Sequence, residues 1–286
     1  LALQPEEYVT AIAAVPSFED TAGYFVLCTR RGRIKRVPVS AFAAVRSNGL
    51  IAMGLDEDDY LGWVRPASGK QDLILVTRKG MSIRFNEQDV RVMGRPAAGV
   101  SAIRLRGDDE VAGMDVIDDP REALLVVTEY GYGKRTPLHE YSQQRRYGFG
   151  VHTLRNLQKT GRIIGARVVT PDDSLTLITA GGTALRTEVN SINLYGRATS
   201  GVKLINLPDD DVLVSMALVS GEEQPPGDGA AARDGALAGD DYMLLGDEDG
   251  YEDDEEFEEY GDAPDDELGD EFDGYDETGG EDFDEA

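Results

Sequence analysis

Along the first 220 residues, short apolar runs rich in β-branched and aromatic side chains alternate with one recurring polar punctuation. Tyr24-Phe25-Val26-Leu27-Cys28 precedes Thr29-Arg30-Arg31-Gly32, and Leu73-Ile74-Leu75-Val76 precedes Thr77-Arg78-Lys79-Gly80. Leu124-Leu125-Val126-Val127 precedes Thr128-Glu129-Tyr130-Gly131, and Leu175 to Ile178 precedes Thr179-Ala180-Gly181-Gly182. The glycines are 48, 51 and 51 residues apart. Runs this short, with little 3.6-residue periodicity around them, predict buried strands rather than helices. Glycine at the end of each tetrapeptide supplies the positive φ of a hairpin turn.

After each turn a second strand carries an arginine four residues beyond the glycine: Arg36, Arg84, Arg135 and Arg186. A loop then reaches a second glycine, Gly49, Gly99, Gly150 or Gly201, with spacings of 50, 51 and 51. Third strands are predicted at Leu50–Met53, Val100–Ile103, Val151–Leu157 and Val202–Leu207. Polar turns follow at Asp56–Asp59, Asp108–Glu110, Gln158–Gly161 and Asp209–Asp211, then fourth strands at Tyr60–Val64, Val111–Ile117, Ile163–Val169 and Val212–Leu218. Two glycine series with one period define a repeat, and four strands in about fifty residues is the arithmetic of a propeller blade. The reading is all-β, with full blades at about 23–67, 71–118, 122–170 and 173–220. Val9–Val15 reads as the last strand of a partial blade within residues 1–20.

Charge divides the chain. The first 220 residues hold 27 Lys+Arg against 26 Asp+Glu, whereas 221–286 hold one arginine against 29 acids. The formal net charge of −27 therefore describes a tail and not the body. Asp, Glu, Gly and Pro with scattered aromatics bury too little apolar surface to offset chain entropy, so residues 221–286 are expected to be a disordered acidic tail. A single cysteine, Cys28, forms no intramolecular disulfide and fits a reducing cytosol.

Catalytic patterns are sparse. His139 and His152 lack partners at metal-ligand spacing, Cys28 lies in an apolar run, no phosphate loop of the Gly-x-x-x-x-Gly-Lys type occurs, and the aspartate clusters read as solvated turns. The arginines carry the functional signal. Arg36, Arg84, Arg135 and Arg186 have mostly small or polar neighbours two residues away, which predicts an exposed face. Arg46, Arg95, Arg146 and Arg197 stand three or four residues before the second glycine, and Lys35, Lys79, Lys134, Arg145 and Lys203 reinforce both series. Arranged radially, they predict a cationic belt suited to a bending polyanion, because guanidinium contacts phosphate bidentately.

Gly80-Met81-Ser82-Ile83-Arg84-Phe85-Asn86-Glu87, Thr128 to Leu138 and Tyr195 to Leu207 resemble the C-terminal domain of the A subunit of bacterial DNA gyrase. That family carries the heptapeptide Gln-Arg-Arg-Gly-Gly-Arg-Gly near the domain's start, and Gln144-Arg145-Arg146-Tyr147-Gly148-Phe149-Gly150 matches it in part. The resemblance implies a β-pinwheel, a propeller whose blades exchange strands and whose basic perimeter wraps double-stranded DNA. It implies a parent type II topoisomerase that introduces negative supercoils with ATP and magnesium bound elsewhere, pairs with the gyrase B subunit through an N-terminal part, and works in the cytoplasm on the chromosome. The chain then reads as a truncated gyrase polypeptide with no catalytic residue and no cofactor or metal of its own. Its expected DNA contacts are Arg30, Arg31, Arg33, Lys35, Arg36, Arg46, Arg78, Lys79, Arg84, Arg95, Lys134, Arg135, Arg145, Arg146, Arg186, Arg197 and Lys203. The related C-terminal domain of topoisomerase IV, and a propeller serving as a protein-interaction scaffold, stay open as alternatives. So do two roles for the tail, solubilisation and competition with DNA for the belt.

Overall fold

In a computed structural model of the chain, residues 3, 6–15, 17–18, 22–45, 49–119, 122–208, 210–219 and 221 are described. The strands are β1 (Tyr24–Thr29), β2 (Arg33–Pro38), β3 (Leu61–Ala67), β4 (Asp72–Thr77), β5 (Met81–Asn86), β6 (Val100–Ser101), β7 (Val111–Ile117) and β8 (Ala123–Thr128). They continue with β9 (Tyr132–Pro137), β10 (Val151–His152), β11 (Ile163–Val169), β12 (Ser174–Thr179), β13 (Ala184–Glu188), β14 (Val202–Lys203) and β15 (Leu213–Val219). One α-helical turn, α1 (Leu157–Thr160), and four short 3-10 turns, one after each repeat's second strand, interrupt them.

The hairpins obey the tetrapeptide. In all four, the glycine N–H donates to the threonine carbonyl, at 3.0 Å for Gly32 and 3.1 Å for Gly80, Gly131 and Gly182. Each of these glycines has φ between 77° and 87°. In three hairpins the threonine hydroxyl also accepts the next backbone N–H, from Arg33, Met81 and Thr183. The threonine thus closes the turn with main chain and side chain together.

Each of the first three blades is completed by its successor. The sheet orders are β3-β1-β2-β6, β7-β4-β5-β10, β11-β8-β9-β14 and β15-β12-β13. The third strand of a repeat therefore leaves its own blade and pairs antiparallel with the second strand of the preceding one: Ile34 with Val100, Ser82 with Val151, Gly133 with Val202. This is the strand exchange of a β-pinwheel. It puts β3, β7, β11 and β15 at the inner ends of the sheets and β6, β10 and β14 at their outer edges. The apolar faces of successive sheets pack against each other, with clusters centred on Leu75, Phe85 and Met114, on Val126, Tyr141 and Leu154, and on Leu125, Leu175 and Leu177.

The second glycine series makes the exchange possible. Gly99, Gly150 and Gly201 sit at positive φ, and a Cβ on Gly99 or Gly201 would lie 2.5 Å from the carbonyl oxygen of Ile34 or Gly133 across the seam. Gly49 has the same φ of +76°, but a Cβ there meets nothing within 4 Å. No strand among the described residues pairs with the segment after it. Leu50–Met53, predicted as a third strand, accordingly has no strand geometry. The same holds for Val9–Val15, which is coil and not a strand; Ala13 and Val15 instead pack on the cluster of Phe25, Leu27 and Val37. The acidic segment from residue 222 onward lies outside the described residues.

The seam predicts unequal costs for equal substitutions. Gly201→Ala combines a left-handed Cβ with a backbone clash and should lower unfolding free energy by more than about 2 kcal/mol. Gly49→Ala, with the strain alone, should cost about 1 kcal/mol. Denaturant titration of the two variants reads the difference directly.

Candidate nucleic-acid interface

The first arginine series is not an exposed belt. Arg36 is buried: its Nε donates to the Val90 carbonyl at 2.7 Å, Nη1 lies 3.4 Å from Glu87 Oε2, and its guanidinium stacks 4.9 Å from the Tyr24 ring centroid. Arg84 pairs with Asp72 at 2.9 Å and donates to the Leu138 and Tyr141 carbonyls at 3.0 and 3.4 Å. Arg135 is buried and donates to the Ile192 and Asn190 carbonyls at 2.5 and 3.3 Å. Val90, Tyr141 and Ile192 are equivalent positions of the following repeats. The backbone joins the same contact, with Met93, Gln144 and Tyr195 N–H groups donating to the Arg36, Arg84 and Arg135 carbonyls. These arginines are clasps holding each blade to the next. Their neighbours are small because the next repeat's chain lies across them. Arg186, on β13 where no further blade follows among the described residues, is exposed and donates to Ser174 Oγ, at 3.2 Å.

Lys35 and Lys134 are likewise inside. The Lys35 ammonium donates to the Gly94, Arg95 and Ala97 carbonyls, and Lys134 donates to the Gly196 and Arg197 carbonyls at 2.7 and 2.6 Å and to Thr199 Oγ1 at 3.3 Å. Burial pushes both lysines down to about 8. Each ammonium fills the floor of the next repeat's loop, so these lysines shape the segments bearing Arg95 and Arg197 and do not face outward themselves.

Four more of the expected contacts, Arg30, Arg33, Arg78 and Lys79, face carboxylates elsewhere, whereas Arg31 is exposed and meets a carboxylate through its backbone. Arg30 meets Glu110 at 2.5 Å, and Arg78 lies 3.8 Å from Glu110 and 2.7 Å from Glu129. This ladder lines an inner cavity of about 370 Å³ between the blades. Arg33 pairs with Asp56, Lys79 pairs with Asp108, and the Arg31 backbone N–H donates to Asp59. The turn acids are also more than solvated decoration. Asp59, Asp109 and Asp211 each accept two backbone N–H groups, one from a hairpin turn and one from their own turn. Asp59 and Asp109 are buried in doing so.

Apart from Arg31 and Arg186, the remaining expected cations belong to the outer edge built by the exchanged strands. Arg95, Arg145, Arg146, Arg197 and Lys203 lie there; Arg46 is outside the described residues. Arg146 donates to the Ser101 carbonyl at 3.1 Å and Arg197 to the His152 carbonyl at 2.7 Å. Ser101 and His152 are equivalent residues of β6 and β10, so the second series ties each loop to the neighbouring exchanged strand. Sequence reasoning missed the exposed Arg104, Arg106 and Arg155 just beyond those strands. Arg104 and Arg155 share the 51-residue period, which was the available signal. His152 stands among Arg155, Arg197 and Arg106. Partial burial first, and then these three cations, hold its imidazole below its ordinary range. Arg104 and Arg106 cover exposed aromatic rings, 4.9 Å from Tyr147 and 4.2 Å from Phe149 respectively.

Propeller blades stitched by exchanged strands, with cations on their outer edge, make this a β-pinwheel. Residues 23–68, 71–118, 122–170 and 173–220 match the family model described as DNA gyrase C-terminal domain, beta-propeller, and the chain belongs to that family. The DNA gyrase A subunit of Kosmotoga olearia is 41% identical over 219 residues, 76% of this chain and 27% of the relative. That of Mycolicibacterium smegmatis is 40% identical over 226 residues, 78% of this chain and 27% of the relative. The chain thus spans about a quarter of the length of these curated relatives. Among solved structures, a DNA gyrase A C-terminal domain superposes with a TM-score of 0.68 at 27% identity, covering 76% of this chain and 72% of that one. The C-terminal domain of DNA topoisomerase IV superposes at 0.69 with 28% identity, covering 73% and 65%.

The clasp assignment makes a stability prediction. Arg135→Ala leaves buried carbonyls unpaired and should cost about 2–3 kcal/mol in chemical denaturation. Arg186→Ala, the equivalent residue without a following blade, should stay within about 0.5 kcal/mol of the parent.

Proposed function

We propose that this chain is the DNA-wrapping part of a gyrase A protein. The observation carrying the reading is the basic outer edge, where Arg104, Arg106, Arg145, Arg155 and Arg197 recur along and just beyond the strands exchanged between blades. Guanidinium groups at blade spacing neutralise phosphates along a curved path without reading bases. A duplex bent along them would present a crossing segment to the parent enzyme's cleavage gate. Strand passage there, driven by ATP with magnesium and with the gyrase B protein as partner, would introduce negative supercoils. Those activities belong to parts of the protein outside this chain. Topoisomerase IV is the second reading, since its C-terminal domain superposes equally well. The gyrase reading is favoured by relatives 40% and 41% identical that are themselves gyrase A proteins. For the tail, competition with phosphate for the edge is the more specific of the two roles: it places 29 acids against one arginine on the same chain as a basic edge.

Electrostatic wrapping has a measurable signature. Neutralising about 6–10 phosphates should weaken binding by roughly 10³–10⁵-fold between 50 and 200 mM salt. The triple variant Arg106→Ala, Arg145→Ala, Arg155→Ala should reduce the slope of log K against log salt by about 2–3. Arg135→Ala, altering a clasp, should leave that slope unchanged wherever the protein remains folded. A slope equal to the parent's in the triple variant would remove the outer edge as the binding surface.

A further inference from the structure

One loop on the outer edge differs from its equivalents in a way that electrostatics does not require. The loops before the second glycine read Arg95-Pro96-Ala97-Ala98-Gly99, Arg146-Tyr147-Gly148-Phe149-Gly150 and Arg197-Ala198-Thr199-Ser200-Gly201. Two small residues therefore stand in the flanking loops where this one carries two large rings. Tyr147 is 46% and Phe149 39% exposed, and neither belongs to the apolar clusters between blades. Tyr147 has φ of +69°, a strained conformation for a bulky side chain and an easy one for glycine. The loop is nonetheless pinned: the Tyr147 N–H donates to the Ala102 carbonyl at 2.6 Å and the Arg104 N–H to the Gly148 carbonyl at 2.9 Å. Arg104 and Arg106 hold the rings from the exchanged-strand side, with the Phe149 centroid 5.0 and 4.2 Å from their guanidinium carbons. Exposed rings, a strained tyrosine backbone, a pinned loop and two flanking cations together describe a rigid apolar projection in a phosphate-attracting setting.

We propose that Tyr147 and Phe149 form a wedge that enters the minor groove of bound duplex DNA and partly unstacks one base step, fixing where the bent duplex kinks. This rests on the wrapping reading above and adds a position to it. Apolar wedges flanked by cations bend a duplex by opening a base step. The step that opens most easily is a flexible pyrimidine–purine step. Wrapping by phosphate contacts alone would be indifferent to register. With the wedge, a TA step placed under the third repeat's loop is favoured over a stiff tract in the same place.

The test uses the full 286-residue chain and duplexes carrying 2-aminopurine beside a single TA step. Bound to the parent protein, the probe should brighten at one register of the step and stay quenched at others. The variant Y147G/F149A relieves the tyrosine backbone strain, so it should melt no lower than the parent. It should bind about fivefold to tenfold more weakly, keep the parent's salt slope because no phosphate contact is lost, and show neither brightening nor preference for the TA duplex. A parent that binds without brightening at any register, or a variant that still brightens, overturns the wedge and leaves wrapping intact. Absence of binding to any duplex at low salt overturns wrapping itself, and the wedge with it.

Discussion

The structure depends on a backbone seam. Each of the first three blades lacks its outer strand until the following repeat donates one, and that strand can approach only where a residue has no side chain and tolerates positive φ. Gly99, Gly150 and Gly201 meet both demands at once. Around the seam, Arg36, Arg84 and Arg135 bind carbonyls at equivalent positions of the next repeat, and Lys35 and Lys134 fill its loop from beneath. The contacts convert a row of hairpins, none of which could bury both of its faces alone, into one interlocked set of sheets.

The same seam creates the cationic edge. A strand handed to the neighbouring blade becomes that blade's outer edge, and residues just before and after it are carried outward in every repeat. Arg95, Arg146 and Arg197 precede the exchanged strands, while Arg104 and Arg155 follow them. Carboxylates are drawn instead to the turns and the inner cavity, where Asp59, Asp109 and Asp211 hold backbone amides and Glu110 and Glu129 neutralise Arg30 and Arg78. Thus a body with almost balanced charge carries a recurring set of exposed cations along one edge, and their recurrence follows from connectivity.

Much of the architecture is legible in the residues. Thr29-x-x-Gly32 and its three copies specify a closed hairpin turn, and two glycine series of one period specify the repeat. The exchanged strands cannot be located from local pattern, because Val100-Ser101 pairs equally plausibly with its own blade or another; the backbone approach at Gly99 decides. Arg36, Arg84 and Arg135 misled for a related reason. Small neighbours such as Gly133 and Ser82 imply solvent when a strand is considered singly, yet here they make room for another repeat. Arg186 has the same motif and is exposed, which locates the cause in the neighbour and not in the residue. Leu50–Met53 and Val9–Val15 show the converse: strand-like sequences remain coil where no described strand offers them an edge.

The central claim, that the edge made by strand exchange is the surface on which the duplex rides, can be read by site-directed photocrosslinking. Cys28 is fully buried and its thiol is pushed far up by burial and by Asp59, so an introduced surface cysteine would carry the photoprobe selectively. Single cysteines replacing Ser142, Thr199 or Asn206 on the outer edge should crosslink to bound duplex. One replacing Val214, exposed on the inner strand β15 beside the cavity, should not. Equal crosslinking from Val214 and the edge, or crosslinking from Val214 alone, would contradict the account.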